Sequence, residues 1–145
     1  ELIGHMASLA HPHVAEANRW LGRAVLDAND TELQRLEYVY WYVLEFGLCE
    51  QGGQVKAVGA GLLSSAGELS AIAKGPVLMD WDLDRIARTS YDPTCEQPVL
   101  FVAPSFDRLL SETIAWIRRG AWRDSTVQAL SPPEETSAEA PVALG

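Results

Sequence analysis

YWYVLEFGLCEQG, residues 40–52, sets one carboxylate, Glu45, inside a run of aromatic and aliphatic side chains. From Tyr38 to Cys49 the chain is apolar on every side apart from Glu45, the pattern of a helix buried all round. An ionised glutamate among Trp41, Tyr42, Phe46 and Leu48 costs several kcal/mol unless it is paired or bound to a metal. Glu45 therefore needs a cation. Two suppliers are open: an arginine such as Arg85 or Arg88, or a metal ion.

Working outward, this helix is expected to begin near Asn29-Asp-Thr-Glu, where Asn29 with Glu32, or Thr31 with Gln34, forms a capping box, and to run to the turn at 50–53. Before it, Pro12 opens an amphipathic helix with Val14, Ala17, Leu21 and Ala24 on one face. After the turn, Gln54 to Val58 is expected as a short strand, Gly59-Ala-Gly61 as a tight bend and Ser65 to Ala73 as a short helix. Beyond Pro76, DWDLDRIARTS predicts a helix capped by Asp80 or Asp82. PVLFVA, residues 98–103, predicts a second strand, paired with 54–58. A last helix starts at Ser105, with Phe106, Leu109, Leu110, Ile114 and Ile117 at core spacing. From Asp124 onward there are four acidic residues and no Lys or Arg, in a Pro/Ser/Ala/Glu-biased stretch. Residues 1–122 are thus expected to form the folded part and 123–145 a disordered acidic tail.

Twenty acidic against 11 basic residues leave a net charge of -9 on 145 residues, a field that repels phosphate backbones and anionic membrane surfaces. Nucleic acid and membrane are not expected partners. Hydrophobic residues make up 48%, enough for one core, and no apolar run reaches the roughly 18 residues of a membrane span. Cys49 and Cys95 show neither CxxC spacing nor a disulfide framework, which points to a reduced, cytoplasmic protein.

Three other places hold chemistry-bearing residues. His11 and His13 flank Pro12, where a solvated capping role suffices. ELIGHM, residues 1–6, is similar to the end of a zinc-protease H-E-x-x-H helix, but Gly4 stands where that motif needs histidine and His5 comes one place later. A histidine in front of Glu1 would lie five residues from His5, and Gly4 would let the backbone leave helical geometry so that both reach one ion. Alone, His5 is better explained by an ordinary hydrogen bond than by a metal ion. Gly59-Ala-Gly61-Leu-Leu-Ser64 lacks the third glycine and the following strand of a dinucleotide fold, and Ser64 reads first as a helix cap.

Together, ELIGH at 1–5, YWYVLEFGLCEQG at 40–52, KAVGAGLLSSAGEL at 56–69 and FVAPSFD at 101–107 closely resemble the tetrahydrobiopterin-dependent aromatic amino acid hydroxylases. The resemblance covers about residues 1–120 and is nearest to the phenylalanine-hydroxylating members. It implies a mainly α fold with a small antiparallel β-sheet, the hydroxylase catalytic-domain fold, incomplete on its N-terminal side. Family members bind Fe(II) through two histidines of H-E-[LI]-[LI]-G-H and a glutamate, an arrangement that leaves positions open for chemistry. His5 matches the second histidine and Glu45 the carboxylate. The first histidine is expected immediately before Glu1, so the chain as given would lack a ligand and be inactive by itself.

Other roles follow from the same match. Glu1 corresponds to an acidic residue near the pterin and Tyr40 to a tyrosine of the pterin pocket. Trp41, Gly61 and Ser64 fall on positions shaping the amino-acid site, Ser64 also supporting the first histidine ligand. Tyr91 and Glu68 match polar active-site positions. The implied reaction uses Fe(II), tetrahydrobiopterin and O2 to hydroxylate an aromatic amino acid, phenylalanine to tyrosine, in a bacterial-type monomeric enzyme. A non-catalytic fragment of this fold and a zinc hydrolase using Glu1 as base are the alternatives.

Overall fold

A computed structural model describes residues 9–73 and 75–123. Glu1 and His5, and the expected tail from 124, lie outside the described residues, as does the side chain of Glu68.

Helix α1 spans Pro12–Asp27 and buries Val14, Ala17, Leu21 and Ala24, the face its periodicity marks. His11 holds the cap position without capping: its side chain makes no cap hydrogen bond and its ring packs edge-on against Phe106 at 5.2 Å. Helix α2, Asp30–Val39, opens on the Asn29/Glu32 box, with Glu32 N–H donating to Asn29 Oδ1 and Asn29 N–H to Glu32 Oε2, both at 3.0 Å. Two orphan amides are satisfied reciprocally. Thr31 and Gln34 are not the box.

Helix α2 does not continue to Cys49. At Tyr40 it widens into a π-helix, Tyr40–Glu45, closed by Phe46 N–H on the Trp41 carbonyl at 2.8 Å. The chain then reverses at Gly47, where an added Cβ would stand 2.2 Å from the Val43 carbonyl oxygen. Only glycine allows that approach. Leu48 and Cys49, expected in the helix, instead open strand β1, Leu48–Gln51.

Strand β1 pairs antiparallel with β2, Gln54–Ala57, through Gly52 and Gly53 at φ +60° and +74°. Positive φ at both central residues is the demand of a tight hairpin turn. Gly59 then caps α3, Ala60–Ser64, so the expected tight bend is the start of a short helix, and α4 follows over Ala66–Ala73. Strand β3, Val77–Asp80, was not foreseen; the helix expected there is only α5, Leu83–Ile86, capped by Asp82 Oδ1 on the amides of Asp84 and Arg85. Strand β4, Val99–Ala103, pairs with β1 and β3 rather than with β2.

The sheet order is β2-β1-β4-β3. A small sheet is present as expected, but it is mixed: β1–β2 is antiparallel, whereas β1–β4 and β3–β4 are parallel. The long excursion between β1 and β4 through α3, α4, β3 and α5 provides the crossover that parallel pairing requires. Helix α6, Phe106–Arg118, capped by Ser105, packs on α1 and against the sheet through Leu109, Leu110, Ile114, Trp116 and Ile117. Trp116, fully buried, donates from Nε1 to Asp84 Oδ1 at 2.8 Å. No helix among the described residues is long and apolar enough to cross a membrane.

Candidate functional site

The π-helix gives Glu45 its place. Residues five apart point about 140° from each other on an α-helix, but the i→i+5 register of a π-helix brings them onto one side. Tyr40 and Glu45 are so aligned, and the Tyr40 hydroxyl donates to Glu45 Oε1 at 2.8 Å. Burial first, then the hydrogen bond and the charge of Glu45, push the Tyr40 phenol up to about 12. It remains a donor throughout the neutral range.

Two glycines bring the next element onto this carboxylate. A Cβ at Gly59 would lie 2.3 Å from the Glu45 carbonyl oxygen and 2.5 Å from Gly47 N. At Gly61 it would lie 3.0 Å from both the carbonyl oxygen and Oε2 of Glu45. The Gly47 carbonyl accepts from the amides of Val58 and Gly59 at 2.9 and 3.0 Å, locking the segment in place. The Gly59-Ala-Gly61 sequence thus permits close backbone approach to a glutamate, not to a phosphate.

Glu45 is half-buried, not enclosed as the sequence suggested. Arg88, one arginine considered for it, donates from Nε to the Asp84 carbonyl at 2.8 Å. With Oε1 oriented by Tyr40 and Oε2 seated against Gly61, the carboxylate is a hard oxygen donor in a shaped recess. That chemistry suits one position of a two-histidine, one-carboxylate iron site. Among the described residues no group of three or more His, Cys, Asp or Glu could hold a metal ion.

Beside it stands an aromatic wall. Trp41 stacks on Tyr91, with centroids 4.0 Å apart and planes at 6°, and on Phe46 at 4.6 Å and 27°. The polar atoms of this wall have protein partners. Tyr91 Oη donates to Glu37 Oε1 at 2.6 Å, and Trp41 Nε1 to Gln97 Oε1 at 3.3 Å. Buried Gln97 donates in turn to the carbonyls of Asp92 and Cys95, tying the 92–97 loop to the wall. Burial, followed by the Glu37 hydrogen bond and charges, pushes Tyr91 up to about 12.

The structure therefore brings Tyr40, Trp41, Glu45, Gly61 and Tyr91 into one neighbourhood. Phe46 belongs with them, as its ring would lie 3.5 Å from a Cβ at Gly61. Phe46, Glu37 and Gln97 were missed from sequence. Phe46 was legible as Glu45's neighbour; the other two are set by long-range contacts with no local signal. Ser64 ends α3 rather than capping a helix, and its hydroxyl donates to the Gly61 carbonyl at 3.0 Å.

The family model described as biopterin-dependent aromatic amino acid hydroxylase matches residues 1–126. The chain belongs to this family. Rat tyrosine 3-monooxygenase (Rattus norvegicus) is 44% identical over 108 residues, 74% of this chain and 22% of that protein. Human phenylalanine-4-hydroxylase (Homo sapiens) is 41% identical over 108 residues, again 74% of this chain and 24% of that protein. Phenylalanine hydroxylase of Chromobacterium violaceum, solved bound to cobalt, superposes with a TM-score of 0.70 at 33% identity, covering 77% of this chain and 42% of that one. The Legionella pneumophila enzyme gives a TM-score of 0.71 at 28% identity, over 83% of this chain and 54% of that one. The chain thus spans about a quarter or less of the curated relatives quoted, and its fold is part of the catalytic domain of the solved hydroxylases. The family uses iron and tetrahydrobiopterin. Membership removes the zinc-hydrolase alternative.

Proposed function

We propose that this chain carries part of the iron site and aromatic pocket of a monooxygenase that hydroxylates phenylalanine to tyrosine. The observation that carries the reading is the Glu45 carboxylate, presented by a π-helix, oriented by Tyr40 and seated against Gly61. Glu45 and His5 hold Fe(II) together with a histidine preceding Glu1. When bound, iron and the reduced pterin supply the activation of O2.

The chain's own residues prepare that chemistry. Tyr40 fixes Glu45 by donating to Oε1, so the carboxylate meets the metal in one orientation. Tyr40 and Glu1 also line the pterin side. Trp41 and Tyr91, with Phe46, form the wall that excludes water from the substrate ring. Gly61 keeps the space beside Glu45 open. Ser64, tied to the Gly61 carbonyl, borders the amino-acid site and steadies the remaining histidine ligand.

The state of that wall is compatible with phenylalanine as the substrate. The Tyr91 hydroxyl is committed to Glu37 and the Trp41 indole N–H to Gln97, so neither needs a substrate hydroxyl as partner. A site built to bind a hydroxyl strongly rejects the analogue lacking it, and this wall is not so built. The free thiols of Cys49 and Cys95 suit a reducing cytoplasm, and we assign a monomer there.

Iron content and pterin-dependent turnover of the full-length protein test the reading. Glu45→Ala should lose both, and wild type should show higher kcat/KM for phenylalanine than for tyrosine. Retention of iron and activity in Glu45→Ala would exclude Glu45 as ligand, whereas a tyrosine preference would overturn the substrate alone.

A further inference from the structure

On the face made by α1 and α6, away from Glu45, a recess of about 180 Å³ is lined by Trp20, Trp122, Arg23, Arg118, Arg123 and Asp27, among others. The guanidiniums of Arg23 and Arg118 each lie 5.3 Å from the centre of the Trp20 ring, and that of Arg123 lies 4.3 Å from the Trp122 ring. Such stacking occupies the flat face of a guanidinium and leaves its in-plane N–H donors for an anion. None of the three forms a salt bridge with a described residue, Asp27 included, although the chain holds 20 acidic residues against 11 basic. Three arginines without an ion-pair partner among the described residues, set around the half-exposed Trp20 and over the buried Trp122, make a surface for a segment that carries carboxylates.

We propose that its occupant is Ser131-Pro-Pro-Glu-Glu135 of this same chain. Residues 124–145 contain four acidic residues and no Lys or Arg, and they begin directly after Arg123, itself part of the recess. The nine residues from 123 to 132 reach up to about 30 Å when extended, ample to return to a site beside their own root. A Pro-Pro pair has little backbone freedom to lose on docking, so Pro132-Pro133 can lie against the exposed part of Trp20 at small entropic cost. Glu134 and Glu135 then follow within one or two residues, where Arg23, Arg118 and Arg123 can take a carboxylate through paired N–H donors. Tethering makes the encounter intramolecular, so modest contacts suffice.

Hydrogen exchange of the full-length protein tests this directly. At low salt the amides of 134–137 should exchange about tenfold more slowly than in a free peptide of residues 124–145, and high salt should abolish the difference. Glu134→Arg with Glu135→Arg should release them, as should Arg118→Glu with Arg123→Glu, and combining the two pairs should restore protection. Deleting 131–145 should raise acrylamide quenching of the half-exposed Trp20, read as the difference between the deletion made in wild type and in Trp20→Phe. If the arginine variant does not fold, the salt series and the glutamate variant decide, since both leave the described core intact. Peptide-rate exchange in wild type, protection unchanged by Glu134→Arg with Glu135→Arg, or quenching unchanged by the deletion would overturn the proposal, the last by showing another occupant or none.

Discussion

Gly59 and Gly61 lie two residues apart beside the same glutamate, yet their substitution should fail in different ways. A Cβ at Gly59 meets backbone atoms only, at 2.3–2.5 Å, and backbone cannot swing aside. Gly59→Ala should cost roughly 1–3 kcal/mol, the usual range for overpacking, seen as a lower urea midpoint. At Gly61 the contacts are 3.0 Å and one of them is Oε2 of Glu45, which can move by a few tenths of an ångström. Gly61→Ala should keep its urea midpoint and lose iron affinity and turnover instead. Equal stability losses in both variants would mean that Gly61 serves packing alone. The titration of Tyr91 gives a second prediction. Its folded pKa is raised to about 12 from 10.0, so the protonated form binds its proton more tightly in the folded chain. That contribution is complete below pH 10.0 and is lost as pH rises towards about 12. Tyr91→Phe should therefore flatten the fall of stability across that interval, and an unchanged alkaline slope would show that the Glu37 hydrogen bond is not felt. At this scale sequence exposed Glu45 as an oddity and placed Tyr40, Trp41 and Gly61 near it. It overstated the burial, because a helical wheel cannot show that a π-helix and two glycines leave the carboxylate half open.

At the scale of elements, local signals were legible and non-local ones were not. The Asn29/Glu32 box, the buried face of α1 and the Ser105 cap are written in neighbouring residues, and each is present. Helix α2 was overextended because Leu48 and Cys49 continue the apolar run, whereas the break arises from the contact between Gly47 and the Val43 carbonyl. Strand β3 escaped notice because Val77 and Leu78 are 61% and 46% exposed at a sheet edge, with neither alternation nor a hairpin turn to mark them. Its parallel partner β4 is distant in sequence, and no local pattern announces that pairing. The capping box supplies a test at this scale. Asn29→Ala removes the acceptor for the Glu32 amide and should destabilise by about 1 kcal/mol. Since α2 leads into the π-helix, the variant should also broaden the Glu45 environment without removing it. Urea denaturation that shows no change would mean the helix start is held by tertiary packing alone.

For the whole molecule, the decisive quantity is the number of iron ligands within one stretch of chain. Residues 1–145 contain His5 and Glu45, which we propose as two members of a three-ligand arrangement, and among the described residues no group of three or more His, Cys, Asp or Glu could hold a metal ion instead. His11 is no spare: it packs on Phe106 at the start of α1, and it belongs to no group of three or more potential ligands among the described residues. Metal affinity rests on several deprotonated donors being held together in advance, and each missing donor is replaced by water without that preorganisation. The stacked rings of Trp41, Phe46 and Tyr91 likewise supply one wall of the proposed substrate pocket, and water exclusion requires the other side too. Purified residues 1–145 should therefore bind iron far more weakly than the full-length protein and show pterin-dependent phenylalanine hydroxylation only at background, with metal content and tyrosine formation as the two readouts. Extending the chain upstream through a histidine preceding Glu1 and the rest of the pocket should recover both. Turnover by residues 1–145 alone at the rate of the full-length protein would show that the ligand set is complete within this stretch, and that His5 and Glu45 have a third partner the family frame does not supply.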